Sequence, residues 1–235
     1  MKVGCLSNII TGCTIFDNGK VVFSERNAHR FTDRVTLNDS NGNYIRTTHP
    51  LHHSHVSLYD VTSIDTNTKA VSTGTCISII NIDTHNILHN IQSNCVCYGI
   101  THCDGKLYYC SVSTGIQRFD LRTKSNQLLI PTKDVGRFSY ISCDVNKLFY
   151  TSNAETVICC DMNGKQIWLF EDTSVLHSPR GVVVDNHAFV FVAGETSGNI
   201  VVISPDRNSS KEEYQISSPR AMCYDKDENK ILVCH

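Results

Sequence analysis

Two stretches of the chain, THCDGKLYYCS (residues 101–111) and ISCDVNKLFYTS (residues 141–152), share one pattern. Each has a Cys-Asp pair, a short polar turn that ends in Lys, and a run of apolar and aromatic residues. Four further aspartates end an apolar run in the same way, so that the full series is Asp17, Asp65, Asp104, Asp144, Asp185 and Asp225. Their successive spacings of 48, 39, 40, 41 and 40 residues indicate an internal repeat.

One repeat has the features of a four-stranded β-meander. The run after each turn is continuously apolar, as in KVVF, KLYY, KLFY and KILVC, and a continuous run predicts a strand buried on both faces. Asp, Asn and Gly in the turns favour the bent backbone between two antiparallel strands. Two weaker runs complete each repeat of about 40 residues. Sheets of this kind cover their apolar faces by packing around a common axis.

The repeat therefore predicts an all-β, six-bladed β-propeller, a ring of packed four-stranded sheets (blades), that occupies residues 1–235 as a single domain. The predicted blades are residues 9–48, 56–92, 95–131, 135–172, 177–216 and 217–235. The sixth blade ends after its second strand, and residues 1–8 are predicted to supply a closing strand. We therefore expect the chain to be a fragment of a longer protein.

The composition is that of a globular protein, with 40% hydrophobic and 19% charged residues and a net charge of −2. This charge gives no general attraction to nucleic acid or to an anionic membrane. No apolar run approaches the roughly 18 residues of a membrane-spanning helix, so we expect no membrane partner. Twelve cysteines without a C-x-x-C motif predict reduced, structural thiols in a reducing compartment, with a disulfide set or a zinc site as alternatives.

The segment SPRGVVVDNHAFVFVAGETSGNIVVIS, which begins at Ser178, resembles an NHL repeat. The NHL consensus has Pro and Gly before an apolar strand that ends in Asp, and SSPRAMCYDKDENKILVC repeats this opening. The first four repeats keep the Asp and the spacing but lack Pro-x-Gly, so the motif itself covers about residues 177–235. KLFYTSNAETVICCDMNGKQI is also similar to the YWTD propellers of lipoprotein receptors, without their Trp-Thr-Asp.

The chain most resembles the divergent NHL propellers at the C-terminus of tripartite-motif (TRIM) proteins. This resemblance implies a cytoplasmic domain that recruits substrates for ubiquitination, or RNA. Ligase activity would belong to a RING domain outside these residues, and any oligomer would form through regions outside the chain. On this basis the chain is predicted to be a non-enzymatic platform for a protein or peptide, without a cofactor. An RNA-binding propeller is the first alternative, and a metal-dependent hydrolase of the lactonase type is the second.

Alignment of the repeats on their aspartates predicts a binding surface at the top face, the end of the ring where the inner strands begin. Equivalent positions place aromatic and arginine side chains around the channel mouth: Tyr59, Tyr98, Arg137, Phe138, Arg180 and Arg220. Aromatic rings give rigid contact area and arginines give charge-assisted hydrogen bonds. The alternative is that these side chains only pack the start of each blade. Asp60, Glu155 and Glu195 are expected on the same face, which weakens the case for RNA.

The sequence contains residues for two candidate metal sites. The segment HPLHHSH (residues 49–55) carries four potential imidazole ligands, His49, His52, His53 and His55, although a solvated loop is the favoured interpretation. A lactonase-type site needs acidic side chains that point into the central channel. The repeated aspartates are interpreted instead as turn formers, away from the channel.

Overall fold

The structure is a computed structural model that describes residues 8–27, 33–49, 57–206 and 210–235. The described residues form 21 strands and no helix. Consequently none of these residues belongs to a helix long and apolar enough to cross a bilayer. The all-β class predicted from the repeat is confirmed.

The strands fall into antiparallel sheets that follow the chain order. The first contains β1 (Asn8–Ile15), β2 (Val21–Asn27), β3 (Arg34–Asn38) and β4 (Tyr44–Thr48). The second, of seven strands, contains β5 (Asp60–Ser63), β6 (Thr68–Ser72), β7 (Gly74–Asn81), β8 (Ile87–Cys103), β9 (Lys106–Ser111), β10 (Gly115–Asp120) and β11 (Ser125–Pro131).

The remaining sheets follow the same order. One contains β12 (Ile141–Asp144), β13 (Lys147–Thr151), β14 (Val157–Asp161) and β15 (Gln166–Phe170). The next contains β16 (Pro179–Val184), β17 (Val190–Gly194), β18 (Asn199–Ile203) and β19 (Ser210–Gln215). The last contains β20 (Ala221–Asp225) and β21 (Lys230–Cys234).

The seven-stranded sheet spans two predicted blades. Its long strand β8 pairs with β7 through residues 87–92 and Cys97, and with β9 through Cys97 and residues 100–103. One strand is therefore the outer edge of one repeat and the inner strand of the next. The boundary predicted between residues 92 and 95 therefore falls inside a continuous strand. Residues 1–7, which include most of the predicted closing strand, lie outside the described residues.

Six inner strands form a closed ring. In order they are β1, β5, β8, β12, β16 and β20, and β20 packs against β1 to complete the circle. The ring is tight at its top: the Gly99 N–H donates to the Ser139 carbonyl at 2.9 Å, and the Gly181 N–H donates to the Arg220 carbonyl at 2.7 Å. The described part of the last sheet has two strands, so the count of six full blades stays a prediction, as do the blade boundaries.

The core lies between neighbouring sheets. Leu107 and Tyr109 of β9 pack with Ala70 and Ile77 of the preceding repeat, whereas Tyr108 and Cys110, on the opposite face of β9, pack with Leu148 of the following repeat. Alternate side chains of one strand thus enter two different core layers. This explains why the second run of each repeat is continuously apolar.

Candidate functional site

Three aromatic rings from successive repeats meet at the top face. The Tyr59 and Tyr98 ring centroids are 4.3 Å apart, and the Tyr98 and Phe138 centroids are 5.4 Å apart with an edge-to-face geometry. Tyr98 is buried, whereas Tyr59 and Phe138 are partly exposed. Their equivalent repeat positions bring them together: Tyr59 and Phe138 precede the inner strands β5 and β12, and Tyr98 lies in β8 just before its inner part. We call this set, with the arginines described next, the top-face cluster.

Two arginines lie over the Phe138 ring. The Arg180 Cζ is 4.9 Å and the Arg137 Cζ is 5.6 Å from the ring centroid, distances at which a cation is attracted by the aromatic face. Arg180 also donates to the Arg137 carbonyl at 3.3 Å. Burial raises the pKa of Tyr98, although its hydrogen bond with Arg137 opposes that shift. The cluster is therefore cross-linked by stacking and by hydrogen bonds.

Glu195 bridges the remaining arginines. Its Oε2 accepts hydrogen bonds of 2.6 Å from Nε and from Nη2 of Arg180, and its Oε1 pairs with Nη2 of Arg220. The side chain of Glu195 is 13% exposed. The repeat alignment predicts Glu195 on this face but not its position between two arginines. Among the ion pairs of the described residues none involves Arg137, which is exposed.

The turn over residues 135–139 presents Phe138 to solvent. Phe138 has a φ of +64°, and the Ser139 side chain accepts a hydrogen bond of 3.1 Å from the Gly136 N–H. A Cβ on Gly136 would lie 1.5 Å from the Asn153 amide, so a larger residue here would displace the Asn153 side chain. This pairing is also held by a 2.9 Å hydrogen bond from the Asn153 N–H to the Asp134 carbonyl.

A cleft of about 300 Å³ opens beside Phe138, between the third and fourth sheets. Its walls combine aromatic, basic, amide and acidic groups: Arg137, Phe138, Asn153, Glu155, Pro179 and Arg180. Glu155 accepts a hydrogen bond of 3.1 Å from His177 Nδ1 at the rim. The cleft can thus offer an apolar surface, a cation and amide hydrogen bonds to one ligand.

Asp60 does not belong to this surface, which corrects the expectation from the repeat alignment. It is 7% exposed, and its two carboxylate oxygens accept 2.9 Å hydrogen bonds from the Val61 and Ile100 N–H groups. Burial raises the pKa of Asp60 to about 8, against the opposing effect of these two donors. The side chain turns inward because Gly12, at the equivalent position of the first repeat, leaves it space.

A second cavity, of about 490 Å³, opens at the bottom face, where the inner strands end. Five of the six repeat aspartates line it: Asp17, Asp65, Asp104, Asp144 and Asp225. The expectation that these residues lie away from the channel is therefore wrong. Their carboxylates also accept turn N–H groups, such as that of Asn67 on Asp65 at 2.9 Å. Within the described ranges, no three His, Cys, Asp or Glu side chains are placed to hold a metal ion.

Of the four histidines in residues 49–55, His49 is the one that the structure describes. His52, His53 and His55 lie outside the described residues. His49 is exposed, and its Nδ1 lies 3.3 Å from the Asp33 carbonyl oxygen. The metal site considered for these four histidines stays untested.

No family model matches this sequence, and no curated protein matches it. Solved structures do match its fold. A protein of unknown function from Bacteroides thetaiotaomicron superposes with a TM-score of 0.75 at 13% identity, over 97% of this chain and 67% of its own. Virginiamycin B lyase from Staphylococcus aureus gives 0.71 at 16%, over 92% and 73%. A chain of the nidogen–laminin complex gives 0.72 at 12%, over 90% and 81%.

The chain is a β-propeller. At these identities the similarity establishes the fold alone, and it confirms the predicted fold class. It does not extend to NHL repeats or TRIM proteins in particular, since no family model matches.

The prediction that the chain is not an enzyme is wrong as it was argued. It rested on the TRIM resemblance and on the position of the repeated aspartates in turns, and the similar structures include a lyase with this fold. The fold is therefore compatible with catalysis as well as with protein binding.

Proposed function

We propose that this propeller binds a protein or peptide through the top-face cluster. The observation that carries the proposal is the arrangement around Phe138, where a partly exposed ring is stacked on Tyr98 and flanked by Arg137 and Arg180. Aromatic and arginine side chains are the residue types that contribute most to binding energy at protein interfaces. A propeller in the nidogen–laminin complex supports a protein partner in general terms.

The geometry favours a short extended segment with an acidic or carbonyl-rich anchor. Arg137 is exposed and can receive a carboxylate, while the 300 Å³ cleft beside Phe138 has room for one or two side chains. Glu155 at the rim disfavours a second acidic residue on that side. The resemblance to TRIM propellers extends the proposal: the partner would be a substrate recruited for ubiquitination in a reducing, cytoplasmic compartment.

RNA is the weaker alternative for the same surface. Glu195 pairs with both Arg180 and Arg220 and offsets one of their two positive charges, so the top face is less basic than the sequence alone suggested. RNA binding requires a basic groove that follows the phosphates, with stacking aromatics. The aromatic component is present, but the continuous basic component is interrupted by Glu195 and Glu155.

Selection from a displayed library of random peptides on the immobilised chain would test the proposal. We expect selected peptides to lose at least tenfold in affinity when Arg137→Ala and Phe138→Ala are combined, because each anchor contributes about 1 kcal/mol or more. Arg118→Ala, on strand β10, is the matched control for loss of one arginine and should leave affinity unchanged. Selected peptides that bind the double variant as well as the wild type would refute the proposal. Binding that depends steeply on salt, seen only with single-stranded RNA, would favour the alternative.

A further inference from the structure

The bottom cavity contains two cysteines that face each other across neighbouring inner strands. Cys103 ends β8 and Cys143 lies in β12, and both line the cavity. They occupy the same position in successive repeats, directly before Asp104 and Asp144. Because β8 and β12 are packed side by side, this shared position brings the two thiols to one level of the ring.

The hydrogen bonds of the two thiols are reciprocal. Cys103 Sγ donates to the carbonyl of residue 144 at 3.8 Å, and Cys143 Sγ donates to the carbonyl of residue 102 at 3.2 Å. Each sulfur therefore reaches the backbone next to the other cysteine. Thr101 Oγ1 lies 3.4 Å from Cys143 Sγ, and the single Cys143 S–H can turn from the residue 102 carbonyl to the Cys103 sulfur when Cys103 is ionised.

The surroundings favour a thiolate on Cys103. The hydrogen bond from Cys143, the largest effect, together with the nearby Lys226 ammonium lowers the pKa of Cys103 to about 7. Burial and the carboxylates of Asp104 and Asp144 act in the opposite direction. Cys143, as the donor, has its pKa raised well above the usual value. Both residues are partly exposed, unlike most cysteines of the described chain, which are buried.

We propose that Cys103 and Cys143 form an oxidisable thiol pair that a hydroperoxide converts into a disulfide between the two strands. The Cys103 thiolate attacks one peroxide oxygen, so that an S–O bond forms, the O–O bond breaks and an alcohol or water leaves. Cys143 then attacks the Cys103 sulfur, an S–S bond replaces the S–O bond, and water leaves with the Cys143 proton. Two thiols supply the two electrons that reduce one hydroperoxide.

This inference is independent of the proposed function, because the pair lies at the opposite end of the ring from the top-face cluster. A disulfide here would join two adjacent repeats at the cavity wall. The cavity gives the oxidant access to both thiols. The Cys-Asp pair that recurs in the two repeats would thus have a chemical role in addition to marking the repeat. The prediction that the cysteines are structural and reduced would then not apply to these two.

The test is treatment of the full chain with hydrogen peroxide, followed by chymotryptic mapping without reduction. Cleavage after Tyr98, Leu107, Tyr140 and Leu148 gives peptides 99–107 and 141–148, each with a single cysteine. We expect these two peptides to be linked and about 2 Da lighter than their sum. Iodoacetamide at pH 7 should alkylate Cys103 about threefold faster than the cysteine of a short unstructured peptide.

Serine variants distinguish the thiol that reacts with peroxide, Cys103, from the thiol that then forms the disulfide, Cys143. In Cys143→Ser, peroxide should leave a sulfenic acid on Cys103 that dimedone captures, whereas in Cys103→Ser dimedone should capture nothing at Cys143, because Cys143 is the resolving thiol. Cys95→Ser, which removes another partly exposed thiol, is the control and should still give the linked peptides. The proposal would be overturned if the peptide map of the oxidised wild-type protein shows no disulfide between Cys103 and Cys143. It would also be overturned if either cysteine is linked to several other cysteines instead. The wild-type map decides even if a serine variant fails to fold.

Discussion

The Tyr140 hydroxyl donates a 2.5 Å hydrogen bond to the backbone carbonyl of Thr11. Thr11 lies on β1 and Tyr140 directly precedes β12, and these strands are three places apart in the ring of six, so the bond crosses the centre of the channel. Both residues are buried. The tyrosine therefore separates the top-face cluster from the bottom cavity, and it ties together two strands that are far apart in sequence.

Removal of this hydroxyl should destabilise the fold. Tyr140→Phe keeps the ring but leaves the Thr11 carbonyl without this donor, which we expect to lower the free energy of unfolding by about 1–3 kcal/mol. Chemical denaturation followed by circular dichroism measures the loss. Tyr44→Phe is the matched control, because that hydroxyl makes an exposed 3.3 Å hydrogen bond to Thr47 and should contribute almost nothing. Equal stability of the two variants would show that the bond across the channel is not formed in solution.

Asp60 should make stability depend on pH. Its pKa in the folded protein, about 8, lies above the value of about 3.9 in the unfolded chain, so folding takes up a proton between these limits. The free energy of unfolding should therefore fall as pH rises from about 4 to 8, by at most about 1.4 kcal/mol per pH unit from this group.

The variant Asp60→Asn should flatten that dependence, whatever its effect on absolute stability. Urea unfolding at pH 5, 6, 7 and 8 gives the slope for the wild type and the variant. Asp227→Asn, at an exposed position, controls for the loss of one carboxylate and should keep the wild-type slope. If Asp60→Asn retains the slope as well, Asp60 is ionised in the folded protein and the two backbone donors outweigh the effect of burial.

Glu195→Gln should release both arginines that Glu195 holds. We expect a loss of about 1–3 kcal/mol in the free energy of unfolding, because the partly buried charge-assisted hydrogen bonds to Arg180 and Arg220 are weakened. The same variant should bind single-stranded RNA or heparin more tightly at low salt, with a steeper dependence on salt concentration.

Glu228→Gln removes an equal charge from an exposed pair with Lys230 and is the control for both measurements. Polyanion binding that rises equally in the two variants would mean that net charge, and not the position of Glu195, sets the electrostatics of the top face.

The repeat period was enough to predict the all-β ring and to place Tyr59, Tyr98 and Phe138 on the same face. Equivalent positions in a closed ring of repeats lie at equivalent places around the axis. It could not predict where a side chain turns at those positions. Asp60 and Arg180 are equivalent in the alignment, yet Asp60 is buried against Gly12 and accepts a hydrogen bond from the Ile100 N–H, whereas Arg180 lies over Phe138. The bridge made by Glu195 and the Tyr140–Thr11 bond also depend on distances between different repeats, which a linear pattern does not contain.

Gly99 should be intolerant of any side chain. A Cβ at this position would lie 2.5 Å from the Tyr140 Cα and 2.7 Å from the Ser139 carbonyl oxygen, and both are backbone atoms directly before the adjacent inner strand β12. Gly99→Ala must therefore push β8 and β12 apart and break the 2.9 Å hydrogen bond from the Gly99 N–H to the Ser139 carbonyl. Together we expect these changes to lower the free energy of unfolding by about 3 kcal/mol or more. Gly105→Ala is the matched comparison: its φ of +67° imposes a strain of about 1–2 kcal/mol, but no atom lies within 4 Å of the added Cβ. Denaturation of both variants separates the cost of a steric clash from that of backbone strain.

Because the same displacement would move Ser139 and the turn that presents Phe138, Gly99→Ala should also weaken peptide binding at the top face, while Gly105→Ala should not. A Gly99→Ala protein as stable as Gly105→Ala would show that the inner strands are not packed this closely.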